Sequence, residues 1–260
     1  MKKNLGLFLA IILVQIAPFI SAADTLYPLI YKIDIKKEIS NTTRLYLSNG
    51  LAEAYALGAD AVLIHMNTYG GQVDAADSMR TAILYNPIPV YVFIDNNAAS
   101  AGALISIACK KIYMRKGANI GAATVVNPTG EAMPDKYQSY MRSMMRSTAE
   151  AHGQDTIVQK NDTLYKWKRD PLIAEAMVDE RVAIPNLIDT GKVLTFTAQE
   201  AQKWGYCDGI AENPESLGVE AEGDYTVKFT FKTEKDPDSV LNAFLSFLYV
   251  LPHTPFWNRS

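Results

Sequence analysis

AVLIHMNTYGG (residues 61–71) and VYVFIDNNAASAGA (residues 90–103) carry most of the information in this chain. Each begins with an apolar run rich in Val and Ile that reads as a buried strand. The first run closes on Gly70-Gly71, where the backbone can turn sharply and another chain can approach closely. The second closes on Ser100, set among small residues at the start of a helical stretch. There the helix dipole and unpaired N–H groups favour developing negative charge. By itself a Gly pair after a strand is a tight turn, and a Ser at a helix start is an N-cap. Together they supply one hydroxyl and two sets of free amides, the combination that a nucleophile with an oxyanion hole requires.

The rest of the chain repeats the alternation of strand and helix. LYPLIYKIDI (26–35) reads as a strand, and a helix follows from about Asn41 to Leu57. A further helix spans 134–152, with Pro134 in its first turn. Residues 153–170 are polar and read as irregular. DPLIAEAMV (170–178) is a short helix opened by Pro171. TAQEAQKWG (197–205) has Thr197 and Glu200 in capping-box spacing, and YTVKFTF (225–231) alternates as a strand. This pattern predicts one α/β domain, a parallel or mixed sheet covered by helices. No internal repeat or low-complexity segment interrupts it.

The flanks differ in character. Residues 1–23 read as a secretory signal: Lys2 and Lys3, then an apolar run, then Ser21-Ala22-Ala23. The chain has 25 basic and 28 acidic side chains, and the two signal lysines leave 23 basic ones in the remainder. That balance offers no basic face to nucleic acid and no polybasic membrane patch. SVLNAFLSFLYVL (239–251) is apolar but too short to cross a bilayer, which takes about 20 residues. The domain is expected over 24–215, a terminal strand and linker over 216–238, and a short apolar tail over 239–260. Cys109 and Cys207 are expected as two separate buried thiols. The few His and Cys residues show no ligand spacing, so neither a metal nor an organic cofactor is expected.

Several stretches resemble the ClpP/crotonase superfamily, and more narrowly the N-terminal protease domain of NfeD proteins, the membrane-bound partners of stomatin-like proteins. They are NTYGGQVDAADSMRTAIL (67–84), NPIPVYVFIDNNAASAGALISIAC (86–109), GANIGAATVV (117–126), GEAMPDKYQSYMRSMMRS (130–147) and LTFTAQEAQKWGYCDGIAE (194–212). The similarity spans roughly residues 28–215. It implies a fold of repeated β-β-α units, with helices packed on a mixed or parallel sheet. This family usually carries Pro before the Gly pair; here the residue is Tyr69.

The resemblance implies a serine peptidase. Ser100 would be the nucleophile, with the N–H groups of Gly71 and Ala101 as the oxyanion hole. The base is harder to place. His65 lies inside a strand, His253 in the tail, and His152 at a helix end that suits a cation. The strand after Ser100, NIGAATVV (119–126), has no His where ClpP-like proteases carry theirs. A Ser-Lys dyad remains. By local sequence alone Lys136 reads as an exposed lysine at a helix start; the resemblance implies it as the base, because GEAMPDK (130–136) aligns with the family's loop-helix stretch that carries it. Ala132, Met133, Tyr137 and Tyr140 would form the apolar pocket that depresses its pKa. Lys110, Lys111 and Lys116 are rivals.

The expected activity is an extracytoplasmic endopeptidase acting on hydrophobic segments of membrane proteins such as stomatin-like partners. The enzyme is expected as a homodimer by analogy and in contact with the membrane through its tail. Two other readings use the same fold. One is a catalytically silent scaffold that binds stomatin-like proteins, which a Lys136 paired with Asp135 or Glu131 would favour. The other is a crotonase-type acyl-thioester enzyme, which the export signal opposes.

Overall fold

The computed structural model describes residues 29–159, 162–217 and 230–233. The expected signal, the apolar tail and the first part of the predicted 225–231 strand lie outside these residues. In chain order, β1 (Leu29–Ile35), α1 (Asn41–Ala56), β2 (Ala61–Thr68), α2 (Val73–Leu84), β3 (Val90–Ala99) and α3 (Ala101–Ala108) form three successive strand–helix units. They are followed by β4 (Lys111–Met114), β5 (Asn119–Gly121), α4 (Asp135–Glu150), β6 (Gln154–Gln159), β7 (Asp162–Trp167) and α5 (Pro171–Ala176). Then come β8 (Thr195–Thr197), α6 (Ala198–Lys203), β9 (Gly209–Ile210) and β10 (Thr230–Thr233).

The main sheet has the order β10-β1-β2-β3-β4-β9, with every neighbouring pair parallel. β5 branches off β3 in parallel, and β8 pairs with β5 antiparallel. The register explains the apolar runs. Ile33, Ile64, Val92 and Ile112 stand side by side across four strands, as do Ile35, Met66, Ile94 and Met114. In a parallel sheet each such row faces one way, and here it meets α1, α2 and α3 in a single core. The opposite face is mixed. A smaller cluster of Ile30, Ala61, Leu63, Phe93 and Leu217 sits there.

Beside that cluster lies a buried charge row. His65 Nδ1 is 3.0 Å from Asp34 on β1, and Nε2 is 3.5 Å from Asp95 on β3. Lys32 and Lys36 approach Asp34, and Arg115 approaches Asp95. Burial alone would raise the Asp34 pKa. The His65 contact and the two ammonium charges overrule it and hold the carboxyl at about 2.

Local rules account for most boundaries. Ser40 caps α1 and forms a capping box with Thr43. Thr197 and Glu200 form the expected capping box of α6. Residues 153–170, read from sequence as irregular, instead contain the antiparallel hairpin β6–β7. The hairpin stands outside the main sheet with Val158, Leu164 and Tyr165 exposed, so it lacks the one-sided apolar pattern that announces a strand.

The reading of His152, at the end of α4, is also corrected, and its neighbour caps the end of α3. His152 is no helix-end cation: burial and the neighbouring Arg169 charge push its pKa down to about 4. The cation there is Arg169, which donates to the carbonyls of Ile107 and Cys109 at 2.7 and 2.6 Å. Cys109 and Cys207 are both free and buried, as expected.

Two outcomes follow. An Asp34→Asn variant should lose roughly 2 kcal/mol of stability at neutral pH. A carboxyl whose pKa falls on folding stabilises the fold above its unfolded value and loses that effect as pH drops. The gap between parent and variant should therefore be full well above pH 3.8, the ordinary value, and close as pH falls through about 2. Denaturant titrations across that range measure it. Arg169→Met should cost about 3 kcal/mol or more, because it strands buried carbonyls at the end of α3; thermal unfolding would show no such loss if Arg169 were a bystander.

Candidate active site

The carboxyl ends of β2 and β3 lie side by side, the usual place for a site in an open parallel sheet. Thr68 ends β2, and its buried hydroxyl accepts the Gly70 N–H at 3.1 Å. Gly70 and Gly71 then take φ values of +109° and +150°, a left-handed path that favours glycine. The path is fixed by Ile39 in the loop between β1 and α1. Ile39 donates to the Gly70 carbonyl at 2.8 Å, and Gln72 donates to the Ile39 carbonyl at 2.8 Å. A Cβ on Gly71 would lie within 2.1 Å of the Ile39 carbonyl oxygen.

Ser100 stands across from this turn. Its φ is +54°, in a region that a non-glycine residue enters only at a cost of about 1–3 kcal/mol. The distortion ends β3 and starts α3 in one step. It lets the Ser100 N–H donate back to Gly121 of β5 at 2.9 Å. Although Ser100 occupies the N-cap position of α3, its side chain makes no capping bond. A Cβ placed on Gly70 would be 2.6 Å from Ser100 Cβ and 3.1 Å from Oγ. Gly102 similarly lies against Thr68, 2.6 Å from its Cγ2 for an added Cβ. The Gly-Gly turn and the Ala-Ser-Ala-Gly turn are thus in contact. Among the described residues, the N–H groups of Gly71 and Ala101 have no acceptor.

Lys136 lies on the first turn of α4 and is exposed, its Nζ 4.8 Å from the centre of the Tyr137 ring. The expected apolar pocket is absent: Tyr137 and Tyr140 are themselves largely exposed. No hydrogen bond joins Lys136 to Ser100 among the described residues, and no carboxylate pairs with it there. Asp135 is taken by Arg142 and Arg181, and Glu131 accepts from Asn127 and Thr129. Of the rivals, Lys111 is paired with Asp208 at 2.8 Å, and Lys110 and Lys116 are exposed.

The buried cation of α4 is instead Arg142, which the sequence reading passed over. It bonds Asp135 at 3.1 Å and lies 3.3 Å from Asp179. Asp179 in turn takes a fork of bonds from Arg181, and these hold its carboxyl at about 2. Gln138, one turn before Arg142, faces Val125 beyond β5. The sequence signal for both was the spacing of four residues, which puts them on one helix face. Among the described residues, no group of His, Cys, Asp and Glu could hold a metal ion.

Comparison with known proteins fits this geometry. Residues 29–223 match the family model of the NfeD1b N-terminal domain. The membrane protein NfeD1b of Bacillus subtilis is 32% identical over 72% of this chain and 40% of its own length. The membrane-bound protease PH1510 of Pyrococcus horikoshii is 25% identical over 75% of the chain and 40% of its length. Its solved N-terminal domain, a membrane-bound stomatin-specific protease in a serine-to-alanine variant, has a TM-score of 0.64 at 22% identity. That match covers 80% of this chain and 99% of the solved one. ClpP1 from Listeria monocytogenes has a TM-score of 0.50 at 17% identity, over 72% of this chain and 94% of its own. The chain therefore has the ClpP-like fold expected of it, and it spans 40% of the length of the curated relatives it matches. By its match to the family model over three quarters of its length, this chain belongs to the NfeD family, with residues 29–223 as its NfeD1b-type N-terminal domain.

Proposed function

We propose that the domain is a serine peptidase in which Ser100 attacks a peptide carbonyl. The strained Ser100 backbone, locked against Gly70 and free of a capping role, is the observation that carries this reading. Strain of this kind persists only where the surroundings enforce it, and here it leaves the hydroxyl without a capping bond and beside Gly70. The amides of Gly71 and Ala101 stabilise the tetrahedral oxyanion; losing one such donor typically costs about 2.7–4 kcal/mol of barrier. The peptide nitrogen leaves with a proton, and water then cleaves the acyl-serine. No cofactor enters these steps.

Lys136 serves as the base, taking the Ser100 proton and returning it to the leaving amine. An ammonium must be desolvated to lose its proton near neutral pH. Since Lys136 is exposed, the substrate chain itself supplies that desolvation when it lies across the first turn of α4. The substrates are hydrophobic segments of membrane proteins, with stomatin-like proteins the first class to test, because the similar P. horikoshii protein is a stomatin-specific protease. The domain works on the extracytoplasmic side of the membrane, as a homodimer, in contact with the membrane through its apolar tail. A second reading, a silent peptide-binding scaffold, draws support from Arg142: the buried cation of α4 is a guanidinium, which cannot act as a base.

Cleavage of a peptide spanning an apolar stomatin-like segment separates these readings. Ser100→Ala and Lys136→Ala should each lower the rate by roughly 10⁴-fold, and the parent rate should rise with pH as the amine deprotonates. Loss in Ser100→Ala alone would move the base to another residue. A parent that binds the peptide without cutting it would make the scaffold reading the right one. Gly70→Ala, which pushes a methyl against Ser100, should reduce kcat by about 100-fold or more while leaving peptide affinity within a few fold. An unchanged kcat would mean that the Gly70 contact does not aim the nucleophile.

A further inference from the structure

Val125 lies four residues beyond Gly121, whose carbonyl receives the Ser100 N–H. Even fully extended, at about 3.3 Å per residue, that is roughly 13 Å of backbone at most, within the span of a bound peptide of a few residues. The upstream residues are held by backbone. The Ala122 N–H donates to Leu194 at 3.0 Å, and the Ala123 N–H donates to Met177 at 2.6 Å. Val125 differs. Its N–H donates to Gln138 Oε1 at 2.9 Å, and its carbonyl accepts from Gln138 Nε2 at 2.7 Å. One residue exchanging both of its main-chain groups with one partner is the pattern of a hydrogen-bonded pair in an antiparallel ladder. Here the partner is a side-chain amide with the donor and acceptor of a peptide unit.

The surroundings keep that amide in place. Gln138 Nε2 also donates to the Met133 carbonyl at 3.1 Å, and the Met133 N–H donates to Val125 at 2.9 Å. Residues 126–132 fold back as a short turn closed by a bridge between Val126 and Ala132. The Val125 carbonyl thus has one bond from the turn and one from Gln138. For a strand to add at Val125, Gln138 would give up its two bonds to Val125 and its bond to the Met133 carbonyl, and the incoming chain would bond again the two Val125 groups that are freed. That near-even exchange suits recognition by strand addition, where main-chain bonds supply the affinity.

We propose that the Gln138 carboxamide is an intramolecular stand-in for a substrate peptide unit: it pairs with the Val125 backbone in the unbound domain and is displaced when an extended chain adds there. This inference rests on the peptide-binding part of the function proposed above, and it holds whether or not Ser100 cuts the chain. Gln138 is a gate for binding and takes no part in bond cleavage. Its competition reduces apparent affinity by the fraction of molecules that hold the closed pairing.

The test uses the full chain in a Ser100→Ala background, so that a bound probe is not consumed. The probe is a fluorescein-labelled extended peptide with an apolar, uncharged centre, followed by anisotropy. Gln138→Ala should tighten its Kd by about fivefold, because the internal competitor is gone. Hydrogen exchange at the Val125 amide should quicken by about tenfold in Gln138→Ala without probe and return to protection when the probe is added. A residue that merely braces the turn would give the opposite sign, since loosening the turn weakens the site. Equal or weaker binding by Gln138→Ala overturns the proposal alone. Absence of binding by both proteins overturns it together with the peptide-binding reading. A Ser100-containing parent that binds the probe but does not cut it removes the peptidase reading and leaves this one standing.

Discussion

The contact between Gly70 and Ser100 is the constraint on which the site depends. Two turns at the ends of neighbouring parallel strands come so close that neither tolerates an extra atom on the glycine side. The closeness has a cause on each strand. On β2, Thr68 holds the Gly70 amide and Ile39 holds its carbonyl, so the turn cannot swing outward. On β3, the Ser100 amide is held by Gly121, so the chain must enter α3 through a left-handed residue. The sheet supplies the rigidity to bear that strain. Rows such as Ile33, Ile64, Val92 and Ile112 are fully buried, and a slip of one residue would turn each of them to the other face.

Permanent charge is used structurally at some distance from this contact. Arg169 caps the carbonyl end of α3, the opposite end from Ser100, and burial together with its guanidinium pushes the His152 pKa down. Arg142, Asp135, Asp179 and Arg181 tie the start of α4 to the loop after α5. A buried guanidinium satisfied on several sides is costly to remove, and it cannot shed its proton to escape burial. Both arrangements therefore behave as fixed braces, which suits elements that must hold a nucleophile and a groove wall in register.

Much of this was legible in the chain, for physical reasons that differ by element. The β2 and β3 runs were legible because a parallel strand covered on one face by helices and on the other by Leu63, Phe93 and their neighbours is apolar almost throughout. Ser100 and Gly70 were legible because only small residues and glycine fit where two turns touch. The hairpin β6–β7 was not legible, since strands exposed on both faces carry no burial pattern. Arg142 and Gln138 were passed over for a related reason. Helix periodicity gives the faces of α4, but which face turns inward is set by contacts outside the helix, with Val125 for Gln138 and Asp179 for Arg142. Lys136, two positions from Gln138, falls on the other side of the helix and meets solvent.

That orientation constrains how the chemistry can run. α4 carries three cations, and among the described residues Arg142 and Arg146 are paired with carboxylates while Lys136 is not. Covering it with an apolar chain removes water and lowers the cost of losing the proton. The same approach brings a backbone to Val125, where Gln138 pairs with the two groups that a chain would need. On the two proposals together, binding and base activation would be one event. On that reading, selectivity for extended segments would arise from the unbound state of the site, where Gln138 pairs with the Val125 backbone, rather than from a side-chain pocket.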